Sequence, residues 1–249
     1  MDLKRISFLN TEINNLNLSE IFAYLDECIE NKKSMHLVSL NVDQVVKIEH
    51  DSEFKDIVMN SELIITDGTP IVWISKLLGK PIVEKIPGPF LAEELMRYSA
   101  NRGYSVFFLG AMDGVAELAA CKMKEKYVGL NMVGTYSPPY GFENDKSELN
   151  KIVNLLRLSG ADILIVGLSA PKQEKFVMQF RDLYKIPISL SLGAAIDFMA
   201  GNIQRAPIWV NKIGFEWLYR FFKEPKRLFK RYFCDDIEIV NLYFKYKGH

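Results

Sequence analysis

Five short, almost uninterrupted apolar runs, each followed by a stretch long enough for a helix, constrain this chain more than any other feature. They are MHLVSLN at 35–41, LIITDG at 63–68, YSVFFLG at 104–110, ADILIVG at 161–167 and IPISLSLG at 186–193. Runs without apolar–polar alternation suit strands covered on both sides, because neither face then requires polar side chains. Helix-length segments stand at 19–31, 42–60, 70–78, 89–102, 113–126, 146–159 and 171–183. Strand and helix in alternation predict an α/β fold: a Rossmann-like, mostly parallel sheet with right-handed crossovers and helices on both faces. VGLNMVGT at 128–135 is a further strand candidate, ahead of the turn-rich SPPYG at 137–141.

The pattern changes after Gly201. Strand signals stop, and Trp209, Phe215, Trp217, Tyr219, Phe221, Phe222, Phe229, Tyr232 and Phe233 crowd into a segment with six basic residues and one acid between 220 and 231. Pro207 can open a helix and Pro225 break it, leaving a second helix from about 226. The expected organisation is an α/β catalytic domain over 1–203 and a basic, aromatic helical appendage over 204–249.

Thirty-one basic and thirty-one acidic residues cancel, so no long-range field favours nucleic acid. No apolar run has the length of a signal peptide or a membrane span. Cys28, Cys121 and Cys234 lie far apart, which excludes a disulfide scaffold, fits a reducing compartment and reads as three small buried hydrophobes. The G-x-G-x-x-G and Walker A patterns are absent, as is a D-x-D pair at a strand end. His36, His50 and His249 make no metal triad with the cysteines, so neither a metal nor another cofactor is expected.

Candidate site residues gather at strand ends, where such sheets bind ligands: Asn41, Asp67, Gly68, Gly110, Gly167 and Gly193. In TDGTP (66–70), Asp67 has two readings of equal weight, a base or sugar ligand and a simple helix cap. In VGLSAPKQEKF (166–176), Pro171 opens a helix whose free N–H groups suit a phosphate, with Lys172 and Gln173 beside it; the plainer reading is a solvated helix start. Asp197 sits among apolar neighbours, as a ligand contact or equally as an anchor for Arg205 or backbone donors. Lys85 precedes the rigid PGP at 87–89 and is either a cation for a diphosphate or a solvated side chain. Tyr136 and Pro138 wall a base or sugar, or merely shape a loop.

Taken together, SLN (39–41), TDGTP (66–70), the P-G of IPGP (86–89), FFLGA (107–111), VGTYSPPYG (133–141), ADILIVGLSAPKQEKF (161–176), LGAAIDFMAG (192–201), RAP (205–207) and GFEWLYRFFKEPKRLFKRY (214–232) resemble the WecG/TagA/CpsF family of glycosyltransferases. The resemblance implies metal-independent, inverting transfer of a sugar from a UDP-sugar donor to a polyprenyl-diphosphate-linked sugar acceptor, at the cytoplasmic face of the membrane, in polysaccharide or teichoic acid synthesis. It implies Asp67 as base, Ser39 and Asn41 near substrate, Gln173 in the family's P-K-Q-E, and Arg220, Arg227 and Arg231 as basic residues of the appendage. Three positions depart from the family: Lys85 stands for arginine, Phe90 for aspartate and Ser169 for glycine. Lysine keeps a charge but lacks arginine's bidentate fork, so an altered sugar preference is expected.

Two other classes compete. A nucleotide-sugar-binding module would hold UDP without turnover, with the appendage serving a homo-oligomer. An RNA-binding protein would show strongly salt-dependent affinity, which the short basic cluster and balanced charge make a weak expectation.

Overall fold

A computed structural model of the chain describes residues 3–204, 206–207, 210, 216–223, 225–230, 232 and 235–248, apart from the side chains at 216, 217, 220 and 227. It opens with a hairpin, β1 (Arg5–Phe8) and β2 (Thr11–Asn14). There follow α1 (Leu18–Glu30), β3 (Met35–Leu40), α2 (Val42–His50), α3 (Ser52–Met59), β4 (Leu63–Thr66), α4 (Thr69–Leu77), α5 (Gly88–Arg102), β5 (Ser105–Gly110) and α6 (Val115–Lys126). Next come β6 (Asn131–Tyr136), α7 (Lys146–Ser159), β7 (Ile163–Gly167), α8 (Lys172–Tyr184), β8 (Ile188–Ser191) and α9 (Ala195–Ala200). Beyond these lie α10 (Glu216–Lys223), α11 (Pro225–Lys230) and α12 (Ile239–Tyr246).

Six strands form one parallel sheet in the order β4-β3-β8-β7-β5-β6. All five apolar runs are strands of this sheet, and the segment at 128–135 supplies the sixth, on its edge. The continuous runs work as two interleaved sets. Met35 and Leu37 of β3, with Ile163 and Ile165 of β7, face a core shared with α1, α5, α6 and α9. Val38 and Leu40 face the hairpin, α2, α3, α4 and α12 on the other side. Leu164 and Val166 face α7 and α8, also on that side.

Three details differ from the sequence pattern. The segment 42–60 is two helices, because Asp51 is extended (φ −123°, ψ 96°) and its side chain accepts a hydrogen bond from the Phe54 N–H at 2.9 Å. Asp51 thus stops one helix and caps the next. The N-terminal hairpin has no counterpart among the sequence-predicted strands. Cys28 is buried as expected, but Cys121 is exposed on α6; Cys234 lies outside the described residues. Of the expected helix from 226, the described residues show α11 and α12, the latter entered through a 3-10 turn at Asp236–Glu238. Ile239 and Leu242 of α12 are buried in the cluster with α2, and Lys245 and Tyr246 both donate to Glu49. Among the described residues no helix is long and apolar enough to cross a membrane.

The chain leaves β3 into α2 on one face of the sheet and leaves the neighbouring β8 into α9 on the other. Diverging helices at adjacent strand ends open a crevice at the carboxyl edge of the sheet.

Candidate active site

The crevice is built from the ends of β4, β3 and β8 and the start of α5. The Asp67 N–H donates to the Leu40 carbonyl at 2.6 Å, prolonging the β3–β4 pairing by one residue and fixing Asp67 at the sheet edge. Its Oδ2 accepts from the Gly88 N–H at 3.3 Å. Gly88 is the first residue of α5, so the donor lies at the positive end of a fifteen-residue helix, an arrangement suited to a carboxylate. A Cβ on Gly88 would lie 3.4 Å from the Leu192 carbonyl oxygen and 3.7 Å from both Asp67 Oδ2 and Ser39 Oγ. Four segments therefore meet within one side-chain radius. Ser39 Oγ is buried there with no hydrogen-bond partner among the described residues. Gly68 takes φ +102° to turn the chain from Asp67 into α4, a conformation that suits glycine.

A buried chain of hydrogen bonds braces the same rim from below. Asn41 caps α2 in a capping box with Gln44, each side chain meeting the other's backbone N–H at 3.0–3.2 Å. Gln44 Nε2 donates to Glu174 Oε1 at 3.2 Å, and Gln173 Nε2 donates to the same oxygen at 2.7 Å. Gln173 Oε1 then accepts from the Gly193 N–H at 3.1 Å. The end of β3 is thus tied to the end of β8 through three buried side chains. Burial pushes the Glu174 carboxyl up to about 7, against the opposing pull of the two amides and the Lys47 charge. Its Oε2 has no hydrogen-bond partner among the described residues. Lys47 itself donates to Asp43 at 2.8 Å and to the Ala170 carbonyl at 3.3 Å.

The strand-end glycines of the other half do a different job. A Cβ on Gly110 (φ +121°) would lie 2.5 Å from the Gly167 carbonyl oxygen, and one on Gly167 would lie 2.7 Å from the Ile196 side chain. These residues let β5, β7 and α9 touch. The Tyr136 hydroxyl donates to Glu148 and accepts from Lys151, whose ammonium also stands 4.6 Å from the ring centroid. Its ring packs against the α7–α8 core. Pro138 is half-buried in a loop that Ser137 fastens to the carbonyls of Gly110 and Met112, both at 3.1 Å. Five strand spacings of about 4.8 Å separate β6 from β4, so Tyr136 and Asp67 are on the order of 24 Å apart across the sheet.

Lys85 is half-buried just before Gly88 and has no ion-pair or hydrogen-bond partner among the described residues; Glu84 beside it accepts from the Leu18 N–H at 2.8 Å. Asp197 lies in α9, where its carbonyl accepts from the N–H groups of Asn202 and Ile203. Phe90 packs against the core of α5, and Ser169 is exposed. Arg220 and Arg227 lie on α10 and α11 with side chains outside the described residues; Arg205 and Arg231 lie wholly outside them. His36 is fully buried between Ser61 Oγ (3.1 Å) and Ser191 Oγ (2.9 Å), and burial with the nearby Arg181 charge pulls it down to about 3. Among the described residues no three His, Cys, Asp or Glu side chains cluster as metal ligands do.

The sequence profile of the glycosyl transferase WecG/TagA/CpsF family matches residues 6–249. The chain belongs to the WecG/TagA/CpsF family. Similar proteins include an N-acetylglucosaminyldiphosphoundecaprenol N-acetyl-beta-D-mannosaminyltransferase of Bacillus spizizenii, 27% identical over 90% of this chain and 84% of the relative. Proteins of the same name from Bacillus subtilis (28% identical; 86% of this chain, 81% of the relative) and Staphylococcus aureus strain MW2 (25%; 92% and 86%) match as well. Against this WecG/TagA/CpsF background, three residues of the crevice stand out that motif reading did not assign to it: Gly88, Gln44 and Glu174. One signal was available for the α8 side. Positions 173, 176, 177, 180 and 184 follow the helical period, and apart from Gln173 all are apolar or aromatic, which places Gln173 on the inward face.

Proposed function

We propose that this chain is an inverting hexosyltransferase. It moves a hexose or N-acetylhexosamine from a UDP-sugar to a polyprenyl-diphosphate-linked sugar during synthesis of a cell-surface polymer. The observation that carries the reading is the Asp67 carboxylate, held by the α5 N-terminus beside a buried Ser39 hydroxyl that has no hydrogen-bond partner among the described residues. The printed names of the relatives support the substrate class: each is named as a transferase of N-acetylmannosamine to a diphosphoundecaprenol-linked N-acetylglucosamine.

In this mechanism Asp67 takes the proton from an acceptor hydroxyl as that oxygen forms a bond to the anomeric carbon of the donor. The bond from that carbon to the UDP phosphate oxygen breaks on the opposite side, and UDP departs with the electron pair. Inversion follows from the single in-line displacement. Ser39 and Asn41 orient the sugars. Lys85, with one or more of Arg220, Arg227 and Arg231 from the appendage at 204–249, offsets the charge that grows on UDP without a metal ion. The same appendage holds the chain at the inner surface of the membrane, where a polyprenyl acceptor resides. Phe90 and Ser169 change the donor preference, since the first removes a carboxylate beside Gly88.

The deciding experiment offers radiolabelled UDP-glucose, UDP-N-acetylmannosamine and related donors to polyprenyl-diphosphate sugars, with the wild type and Asp67→Asn in parallel. Transfer by the wild type, and its loss in the variant with UDP binding intact, is the expected result. UDP binding with no transfer to any acceptor would instead make the chain a nucleotide-sugar-binding module.

A further inference from the structure

One buried carboxyl group joins the two walls of the crevice, and the transfer mechanism gives it no task. Glu174, Gln44 and Gln173 are each 2% exposed or less. Each glutamine presents its carbonyl oxygen to a backbone N–H at the rim: Gln44 Oε1 accepts from Asn41 at the end of β3, and Gln173 Oε1 accepts from Gly193 past the end of β8. A backbone N–H can only donate, so each amide must turn its NH2 group the other way. Both NH2 groups then donate to a single atom, Glu174 Oε1, at 3.2 and 2.7 Å. Burial makes an NH2 group without an acceptor costly, so this oxygen fixes which way round both amides sit. Apolar side chains would fill the space between α2 and α8 with little loss of stability. What they could not do is hold two backbone N–H groups of the rim in fixed directions.

We infer that Glu174 is a positioning residue for the sugar transfer proposed above, on which this role depends: by orienting Gln44 and Gln173 it sets the spacing between the ends of β3 and β8. On the β3 side, Gln44 holds Asn41, two residues beyond Ser39. On the β8 side, Gly193 follows Leu192, whose carbonyl oxygen lies 3.4 Å from the Cβ position of Gly88, and the Gly88 N–H donates to Asp67. Ser39, Asn41 and Asp67 therefore all stand on segments that Glu174 holds through one neighbour or two. The role needs an oxygen and no charge, because Oε1 stays an acceptor whether or not Oε2 carries a proton. A carboxamide at 174 can do the same job, and a hydrocarbon cannot.

The test compares the full-length wild type, Glu174→Leu and Glu174→Gln at a temperature where circular dichroism shows each of them folded. Single-turnover transfer, UDP affinity and amide hydrogen exchange are read on the same samples. In Glu174→Leu the transfer rate falls by roughly 100-fold, the cost of misplacing reacting groups by about 1 Å. UDP affinity stays within a few-fold of wild type, since Lys85 and the arginines of the appendage lie outside the held segments. Exchange of the Asn41 and Gly193 N–H groups speeds up about tenfold, as the loss of one ordinary hydrogen bond requires, while the centre of β7 is unchanged. Glu174→Gln recovers most of the rate and the protection. A folded Glu174→Leu protein with a transfer rate near wild type makes the group merely structural and overturns the proposal, as does a Glu174→Gln protein as slow as the leucine variant. Should Glu174→Leu fail to fold, Gln44→Leu removes one arm and must slow transfer with Gly193 still protected; a wild-type rate there overturns the proposal too. Exchange needs no turnover. A wild type that transfers to no acceptor strikes the proposed reaction, whereas unchanged exchange at Asn41 and Gly193 in folded Glu174→Leu strikes the positioning role itself.

Discussion

The two halves of the sheet's carboxyl rim use similar residues to opposite ends. Where β4, β3 and β8 finish, polar groups gather around the start of α5: Asp67 Oδ2 accepts a long hydrogen bond from the Gly88 N–H, and Ser39 Oγ, buried beside it, meets no partner among the described residues. Where β7 and β5 finish, Gly110 and Gly167 are pressed together so closely that no side chain would fit. At β6, Tyr136 is committed to Glu148 and Lys151. A glycine at a strand end therefore signals either room for a ligand or room for another strand, and only the neighbouring polar groups tell which.

The sharpest way to break this contrast is Asp67→Asn. If the β4–β3–β8 half holds the chemistry, removing the base lowers kcat by roughly 10²- to 10⁴-fold while thermal stability and UDP affinity stay near wild type. Single-turnover transfer with bound donor measures it, and a rate within a few-fold of wild type would move the chemistry elsewhere. Gly110→Ala is the mirror experiment. A Cβ 2.5 Å from a backbone oxygen, at φ +121°, costs about 4 kcal/mol in overpacking and strain, or a melting temperature lower by roughly 8–16 °C. A stable Gly110→Ala protein that had lost UDP affinity would show that this half is a binding surface after all.

How much of this was legible depends on what each segment buries. The central strands could be read because both their faces are covered, which leaves nothing but apolar residues between Met35 and Leu40 except His36 and Ser39. The hairpin could not: its strands have four residues each, and its turn uses Leu9 at φ +49° instead of a glycine, so no turn signal appears. At the site, Asp67 was marked by its place after a strand. Glu174 was not, since a Lys-Gln-Glu run at a helix start reads as solvated until the tertiary fold buries it. Tyr136 shows the same limit: an aromatic beside two prolines reads as a wall for a ligand or as a loop support, and its two hydroxyl partners come from α7, ten or more residues further on.

Glu174 sharpens the comparison by pH. Its carboxyl is raised to about 7 in the folded chain from 4.5. Below pH 4.5 it is protonated in folded and unfolded chains alike. Between 4.5 and 7 the unfolded chain gives up its proton first, so stability falls across that window, by up to about 3 kcal/mol for a shift of this size. Glu174→Gln keeps an oxygen for the amides of Gln44 and Gln173 but cannot titrate. Denaturant unfolding from pH 4.5 to 7.5 should therefore show a decline in the wild type that is missing in the variant. Parallel curves would mean that the buried carboxylate is balanced by charge.

Tyr136→Phe should have the smallest effect and is the most selective probe of the far half. The hydroxyl links Glu148 and Lys151 at a partly exposed site, so its loss costs about 1 kcal/mol of stability. The ring still packs on the α7–α8 core, and the ammonium of Lys151 still has its face to rest on. Because Tyr136 and Asp67 are separated by the width of the sheet, KM for donor and kcat should both stay within twofold of wild type. A rise in donor KM at unchanged stability would mean that the uracil or ribose reaches β6. The ligand would then lie along the whole rim, and the division between a reacting half and a packed half would fall.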